Sequence, residues 1–147
     1  MSIVIRDIER RDYAAVAAIW RDVLGILTAT DEIAVKTYER MKGDDRYRTF
    51  VADAGGEVVG FVTAVETLAI DRPEGYIKVN GLAVLPGFRR QGVGRMLMER
   101  VERLAGERGA SAIGLASGFQ RTDAHAFYER MGYRKTSFWF RKNIRDD

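Results

Sequence analysis

Residues 82–95 carry the most informative stretch of the chain, Leu82-Ala83-Val84-Leu85-Pro86-Gly87-Phe88-Arg89-Arg90-Gln91-Gly92-Val93-Gly94-Arg95. The pattern predicts a strand, a short basic loop with glycines, and then a helix. The start of a helix exposes unpaired backbone N–H groups and a partial positive charge, which favour a phosphate group. Gly92 and Gly94 let the backbone approach a ligand closely, while Arg89, Arg90 and Arg95 add positive charge. The stretch therefore predicts a pyrophosphate-binding turn.

Two well-known phosphate loops do not fit the same residues. The loop lacks the Gly-Lys-Ser/Thr of a P-loop, and its glycine spacing is not that of a dinucleotide-binding fold. A bare Arg-x-x-Gly-x-Gly is also compatible with an ordinary surface turn. The surrounding sequence has to decide between a phosphate site and a plain turn.

Outward from this loop, the apolar spacing predicts alternating strands and helices. Gly55-Gly56 predicts the turn of a hairpin, and Gly109 predicts the end of the helix that follows the loop. We expect strands near residues 3–8, 49–54, 57–65, 75–84, 113–116 and 137–140, and helices near 12–24, 31–41, 94–109 and 122–131. This order predicts a mixed sheet covered on both faces, in a single domain of residues 1–147.

The composition of the 147-residue chain excludes several kinds of chemistry. Without cysteine there is no disulfide, no Cys-ligated zinc and no cysteine nucleophile. Because His125 is the only histidine, a multi-histidine metal site is excluded, and we expect no bound metal. The net charge of +3 is small for a nucleic-acid-binding protein. The sequence shows neither a membrane-spanning run nor a secretion signal, so we expect a cytoplasmic protein without membrane or nucleic-acid partners.

A second motif follows downstream, Ala124-His125-Ala126-Phe127-Tyr128-Glu129-Arg130-Met131-Gly132-Tyr133. Together with the loop at 82–95 and the element order, it resembles the GNAT superfamily of N-acetyltransferases. The resemblance implies an α/β fold with a mixed, mostly antiparallel sheet of six to seven strands and about four helices. It also implies acetyl-CoA as the acetyl donor and a primary amine of a small molecule as the acceptor.

The resemblance assigns roles to individual residues. The strand at Leu82, Ala83 and Val84 would pair with the pantetheine arm of acetyl-CoA. The pyrophosphate would be held by the turn, that is, by Arg89, Arg90, Gln91, Gly92, Val93, Gly94 and Arg95. Tyr128 matches the family's general acid, which protonates the departing thiolate after direct attack by the amine. Phe127 and Tyr128 are also compatible with core positions of an amphipathic helix.

The sequence does not identify a general base. Lys78, Asn80 and Leu82 are expected on one face of their strand, and none is a carboxylate. Glu66 and Glu74 are interpreted as surface charges, and a water chain ending on a backbone carbonyl or on Asn80 is an alternative to a carboxylate base.

A structural role is more common than a catalytic one for a lone histidine such as His125. Arg121 replaces an asparagine that contacts the cofactor in many relatives.

The last thirty residues are most similar to the aminoalkylphosphonate N-acetyltransferases, from which we take only a small amine as acceptor. Alternatives are acetylation of a protein α-amine or lysine, and a non-catalytic acyl-CoA-binding regulatory domain. Arg89, Arg90 and Arg95 near Phe88 are also compatible with a nucleic-acid module, although balanced charges elsewhere disfavour it. Aromatic residues such as Trp139 and Phe140 would cover a homodimer contact or belong to the core.

Overall fold

The computed structural model describes residues 2–145, and those up to Leu115 form one sheet with helices on both of its faces. The elements in chain order are β1 (Ile3–Asp7), α1 (Tyr13–Asp22), α2 (Asp31–Met41), β2 (Tyr47–Ala54), β3 (Glu57–Ala69), β4 (Arg72–Val84), α3 (Val93–Arg108), β5 (Ile113–Leu115) and α4 (Thr122–Arg130). The described part of the chain has no helix that is long and apolar enough to span a bilayer.

The five strands follow each other in the sheet in the order of the sequence. The pairs β1–β2, β2–β3 and β3–β4 are antiparallel, whereas β4 and β5 run parallel. Gly55 and Gly56 form the predicted turn of the β2–β3 hairpin, with φ of 62° and 101°. Such positive angles are accessible to glycine without steric cost, which explains why this dipeptide connects the two strands.

Helix α3 begins and ends at glycines in the left-handed conformation. Gly92 precedes its first residue with φ of 78°, and Gly109 follows its last residue with φ of 68°. Between them, Leu97, Met98 and Val101 are buried at helical spacing. Local backbone chemistry thus sets both ends of α3, and its apolar stripe fixes the face that it turns to the sheet.

Two helical layers cover the sheet. On one face, Val16 and Ile19 of α1 form a buried cluster with Val51, Phe61 and Ala83 of three neighbouring strands. Because side chains alternate along a strand, the residues next to these point to the opposite face. There the guanidinium of Arg100 in α3 lies 4.3 Å from the centre of the Phe50 ring. The expected α/β fold with a mostly antiparallel sheet is confirmed.

The number of strands differs from the expected six to seven. The described residues form a sheet of five strands, and the strand expected at 137–140 is not formed. Phe138 and Phe140 are instead 77% and 90% exposed. A strand is stable only when a neighbouring edge takes up its backbone hydrogen bonds, and sequence propensity alone does not supply that edge.

The chain divides into two compact units at the end of β5. The first unit ends at Leu115 and contains the sheet with α1, α2 and α3. The second begins at Ala116 and contains α4 and the residues that follow it. Every buried residue of the described chain belongs to the first unit.

Candidate active site

The loop between β4 and α3 holds most of the predicted cofactor-binding residues. Pro86–Phe88 form a short 3-10 turn, after which Arg90 and Gly92 take the left-handed conformation, with φ of 63° and 78°. The side-chain amide of Gln91 donates a hydrogen bond to the carbonyl of Gly87 at 3.3 Å, which closes the turn. Apart from Gly92 and its two chain neighbours, no atom of the described residues lies within 4 Å of the position that a Cβ on Gly92 would occupy, so the turn is open there.

The N-terminus of α3 presents free backbone donors to this open side. The first helical hydrogen bond runs from the N–H of Met96 to the carbonyl of Gly92, at 2.9 Å. The N–H groups of Val93, Gly94 and Arg95 come before it and therefore have no acceptor within the helix. Because the helix dipole adds a partial positive charge here, the turn has the backbone geometry and the charge that an anion requires.

Three arginines belong to the same turn and the first residues of α3. Arg89, Arg90 and Arg95 are exposed, and none of them forms an ion pair with another residue of the described chain. Most other arginines of the first unit are bound internally, such as Arg6 to Asp12 and Arg108 to Glu66. The positive charge at the start of α3 is therefore available to an external anion.

The last residues of β4 have an edge to which no other described strand is paired. The N–H of Leu85 donates to the carbonyl of Val59 on β3, at 2.8 Å. Since backbone groups alternate between the two edges of a strand, Leu82 and Val84 direct theirs away from β3. On that side β5 pairs only with Ile77–Val79. Leu82 and Val84 therefore offer N–H and C=O groups to an added extended segment.

A β-bulge in β4 overturns one expectation about this strand. Ala64 pairs with Val79 and Thr63 with Gly81, so that Asn80 is an extra residue without a partner on β3. The bulge reverses the alternation of side chains. Lys78, which pairs with Val65, therefore lies on the α1 face, whereas Leu82, which pairs with Val62, lies on the α3 face. The prediction that Lys78, Asn80 and Leu82 share one face was wrong for this reason.

Glu66 and Glu74 are the two carboxylates that the sequence analysis considered when it looked for a general base. Glu66 pairs with Ile77 in the sheet and accepts a hydrogen bond from Arg108 of α3 at 2.9 Å. It therefore belongs to the α3 face, opposite Lys78. Glu74 is exposed. Glu66 therefore lies on the face opposite Gly81 and is already paired with Arg108.

A polar and aromatic group beside the bulge is a feature that sequence reasoning missed. The Trp20 ring packs over Gly81, and a Cβ at residue 81 would lie only 2.4 Å from its Cη2 atom. Burial raises the pKa of Tyr38, and hydrogen bonds with Trp20 and Thr49 oppose that rise in part. The hydroxyl of Thr49 in turn lies 2.8 Å from that of Thr63, which pairs with Gly81. These contacts join residues far apart in sequence, which local patterns do not reveal.

Tyr128 lies in the second unit, in the last turn of α4. Its ring is half-buried, with the rings of Phe127 and Tyr133 packed edge-on at 5.3 and 6.0 Å. Burial raises the pKa of the Tyr128 phenol above its usual value, while the charge of Arg121 lowers it in part. The phenol is therefore protonated at neutral pH, as a proton donor must be.

His125 and Arg121 organise the start of α4. The Nε2 atom of His125 lies 2.8 Å from the carbonyl oxygen of Gly118, within hydrogen-bond distance. The backbone N–H of Arg121 also donates to Gly118, at 3.0 Å, and the N–H of His125 donates to Arg121 at 3.1 Å. His125 thus ties the preceding loop to the helix. This contact favours the structural interpretation of the lone histidine.

A groove of about 450 Å³ lies elsewhere in the first unit, between α1 and the β2–β3 turn. Its lining includes Arg6 and Asp12 but none of the predicted cofactor-binding residues. Arg6 and Asp12 bind each other at 2.7 Å. The candidate site is therefore defined by the backbone of the β4–α3 loop and not by this groove.

Comparison with known proteins identifies the family of the chain. The sequence model of the acetyltransferase (GNAT) family matches residues 7–133. The chain belongs to the GNAT family. The match includes the β4–α3 loop, α4 and Tyr128, so the resemblance inferred from the two motifs is confirmed.

Among curated proteins, the aminoalkylphosphonate N-acetyltransferase of Salmonella typhimurium is 34% identical over 89 residues. That match covers 60% of this GNAT chain and 58% of the relative. The similarity to this enzyme is therefore confirmed, but its expected concentration in the last thirty residues is not, since the match covers 89 residues. The chain spans about half to three-fifths of the length of the first curated relatives it matches.

Solved structures confirm the GNAT fold over nearly the whole chain. A transcriptional regulator from Bacillus halodurans superposes with a TM-score of 0.89 at 24% identity, covering 97% of this chain and all of the other. The aminoglycoside N-acetyltransferase AAC(6')-Iy, solved in complex with CoA, superposes with a TM-score of 0.80 at 21% identity, covering 97% of this chain and 96% of the other. At these identities the likeness concerns the fold alone.

Proposed function

We propose that the protein is an acetyl-CoA-dependent N-acetyltransferase that transfers the acetyl group directly to a primary amine of a small molecule. The observation that carries the proposal is the open N-terminus of α3. There, free N–H groups and three arginines without an internal ion pair surround Gly92. Membership of the GNAT family supports the choice of acetyl-CoA as the anion that this turn binds.

The donor would bind in two parts. Its pyrophosphate takes the N–H groups at the start of α3, and Arg89, Arg90 and Arg95 neutralise its charge. Its pantetheine arm adds to the edge of β4, where Leu82 and Val84 present backbone donors and acceptors. These two contacts hold the thioester in a fixed direction, which lowers the entropic cost of the reaction.

The transfer itself needs no covalent enzyme intermediate. The neutral amine attacks the thioester carbonyl, and a tetrahedral intermediate forms. Its collapse breaks the C–S bond and releases the CoA thiolate. Tyr128 would protonate that sulfur, since its phenol remains protonated at neutral pH. Solvent then returns a proton to the tyrosine, and the attacking nitrogen loses one proton to water as the amide forms.

The small-molecule acceptor is supported by the relatives. The Salmonella protein is named for an aminoalkylphosphonate, and a superposable plant structure is a glucosamine-6-phosphate N-acetyltransferase, with 17% identity and a TM-score of 0.84. We therefore expect turnover with small primary amines, and a screen would begin with aminoalkyl acids and phosphonates. Acetylation of a protein α-amine or lysine would be favoured if peptides were turned over faster than these amines.

Isothermal titration of Gly92 variants with acetyl-CoA tests the donor site. Gly92→Asp places a negative charge at the proposed phosphate position, whereas Gly92→Asn adds a side chain of the same size without charge. Asparagine also tolerates the left-handed conformation of this residue. We expect the aspartate variant to bind acetyl-CoA at least ~10-fold more weakly than the asparagine variant. Equal affinities would contradict a phosphate site at the start of α3.

A turnover assay distinguishes an acetyltransferase from the non-catalytic alternative. If acetyl-CoA binds to the wild-type protein but is not turned over with any amine, peptide or protein, the chain would be an acyl-CoA-binding regulatory domain.

The assignment of residues 1–147 to a single N-acetyltransferase domain is also a proposal, supported by a family match that extends across both units. The cytoplasmic location and the homodimer are proposals as well.

A further inference from the structure

Lys78 lies in β4 just before the edge to which no other described strand is paired. Parallel pairing with β5 ends at Val79, so the open edge of β4, which we define as residues 80–84, begins one residue later. At a rise of about 3.3 Å per residue, this edge is about 16 Å long. In the proposed function, the pantetheine arm runs along it from the start of α3 toward Asn80. The thioester at the far end of the arm would therefore lie near the bulge and close to Lys78.

Helix α1 covers its face of the sheet as far as the bulge but leaves Lys78 partly accessible. Trp20 of α1 packs over Gly81, where an added Cβ would lie 2.4 Å from the Cη2 atom of the indole. In the next row of the sheet, Val65 pairs with Tyr47 on one side and with Lys78 on the other. Tyr47 is exposed, and Val65 and Lys78 are half-buried. Solvent therefore reaches the side of β4 on which Lys78 lies.

The neighbouring strand leaves room for the lysine side chain. Lys78 pairs with Gly114 of β5, and paired residues direct their side chains to the same face. Apart from Gly114 and its two chain neighbours, no atom of the described residues lies within 4 Å of the position of a Cβ there. The neighbours of Lys78 in β4, Ile77 and Val79, are apolar and buried. Lys78 thus combines a primary amine on a flexible four-carbon stem with space beside the open edge.

We propose that Lys78 is a site of self-acetylation, at which acetyl-CoA bound to the protein acetylates that same molecule. The neutral Nζ amine attacks the thioester carbonyl, a C–N bond forms, and the C–S bond breaks. The nitrogen loses one proton and the CoA thiolate gains one, so the products are Nζ-acetyl-Lys78 and CoA with a free thiol. The modification removes a positive charge from the α1 face. The proposal rests on the proposed donor site, but not on the identity of the small-molecule acceptor.

The other four lysines of the chain provide internal controls, because they are more accessible than Lys78. The side chains of Lys36 and Lys135 are 73% and 75% exposed, and Lys42 and Lys142 are exposed as well. A reagent that finds amines by accessibility alone would modify these four before the half-buried Lys78. The order of modification therefore distinguishes a reaction at the donor site from a reaction with free reagent.

Peptide mass spectrometry measures the rate of acetylation at each lysine. With acetyl-CoA and no added amine, we expect Lys78 to be acetylated at least ~10-fold faster than Lys42. With N-acetoxysuccinimide, an acetyl donor without a nucleotide, the order should be reversed. Equal rates at Lys78 and Lys42 with acetyl-CoA would overturn the proposal. Preference for Lys78 with both reagents would indicate a lysine that is reactive without the donor site, and would also overturn it.

Variants of Gly92 connect the modification to the donor site. Below saturation with acetyl-CoA, Gly92→Asp should slow the acetylation of Lys78 at least ~10-fold relative to Gly92→Asn, because its charge repels the phosphates. The rate at Lys42 should be the same in both variants. The rate per molecule at Lys78 should not change when the protein concentration is raised. An increase in proportion to the protein concentration would show transfer between copies and contradict transfer within one molecule.

The outcome at Lys78 can be separated from the proposed acetyltransferase function. A protein that acetylates a small amine but leaves Lys78 unmodified would contradict self-acetylation alone. A protein that binds no acetyl-CoA in titration calorimetry would contradict both. Lys78→Arg should lose the modification and still bind acetyl-CoA, because the proposed donor contacts lie in the open edge and at the start of α3. Acetylation of Lys78→Arg at the wild-type overall rate would mean that another amine is the target.

Discussion

Tyr128 combines partial burial with a phenol whose pKa is raised, and this combination suits a proton donor. Phenylalanine at this position keeps the packing against Phe127 and Tyr133 and removes only the hydroxyl. We expect Tyr128→Phe to lower kcat by ~10²-fold or more, because the thiolate would leave without protonation. The affinity for acetyl-CoA should remain near that of the wild type, which titration calorimetry measures.

His125 provides the matched control for that experiment, since it lies one turn before Tyr128 on α4. Its ring is within hydrogen-bond distance of the Gly118 carbonyl, and loss of such a bond costs about 1 kcal/mol of stability. His125→Ala should therefore lower the unfolding temperature but change kcat by less than ~10-fold. Wild-type turnover of Tyr128→Phe would remove the tyrosine from the mechanism, and a ~10²-fold loss in His125→Ala would give the histidine a catalytic role.

Strand β4 depends on a contact between its bulge and α1. At Gly81 an added Cβ would lie 2.4 Å from the Trp20 ring, whereas at Gly114 of β5 it would meet no atom within 4 Å. We expect Gly81→Ala to destabilise the fold by about 1–3 kcal/mol because the indole must move. Gly114→Ala should be nearly neutral. Chemical denaturation of both variants measures the difference, and equal stabilities would show that the ring moves freely.

The sequence was sufficient for the elements whose boundaries are set by local chemistry. Gly55-Gly56 predicted the hairpin turn, and Gly109 predicted the end of α3, because glycine readily takes the backbone angles that these positions need. The start of α3 was expected near residue 94, and the helix begins at Val93 after the left-handed Gly92. The bulge at Asn80 and the packing of Trp20 on Gly81 were not predicted. Both depend on pairing with β3 and on a distant helix, which no local pattern encodes. The strand expected at 137–140 is not formed for the same reason, because a strand needs the edge of a neighbouring strand for its backbone hydrogen bonds.

One charged cluster joins β1 to the start of α1 and to β2. Arg6 donates two hydrogen bonds to the buried Asp12, at 2.7 and 3.0 Å, and a third to Asp53 at 3.0 Å. Burial raises the pKa of Asp12, but the bonds from Arg6 and from the Glu9 N–H outweigh it, so the net pKa lies below the usual value. Ionised Asp12 therefore stabilises the fold fully at pH values above the pKa of an aspartate in the unfolded chain, which is about 3.9.

The lowered pKa of Asp12 in the folded protein predicts how stability changes with pH. As the pH falls through the lowered pKa, the stabilisation by Asp12 is lost. We expect Asp12→Asn to cost about 1–3 kcal/mol at neutral pH and to converge with the wild type in acid. Asp44→Asn is the control, because the Asp44–Arg46 pair lies on the surface, and it should change little. Parallel pH profiles for Asp12→Asn and the wild type would contradict the assignment.

The two units differ in the amount of core that each contains. The first holds all the buried residues of the described chain, and the second, from Ala116 onward, holds none. Segments of this size rarely supply enough apolar burial to be stable alone. Helices α3 and α4 should therefore differ in the free energy at which their amides open, although both have regular hydrogen bonds.

Hydrogen exchange tests this difference over the whole molecule. Amides of α3, anchored by Leu97, Met98 and Val101, should exchange at least ~10-fold more slowly than those of α4, which opens locally. Acetyl-CoA should slow exchange at residues 93–95, whose N–H groups have no helical acceptor in the free protein. Equal protection of α3 and α4 would mean that the units open together, and the chain would then behave as one cooperative domain. Unequal protection would assign the proposed proton donor, Tyr128, to the less stable part of the molecule.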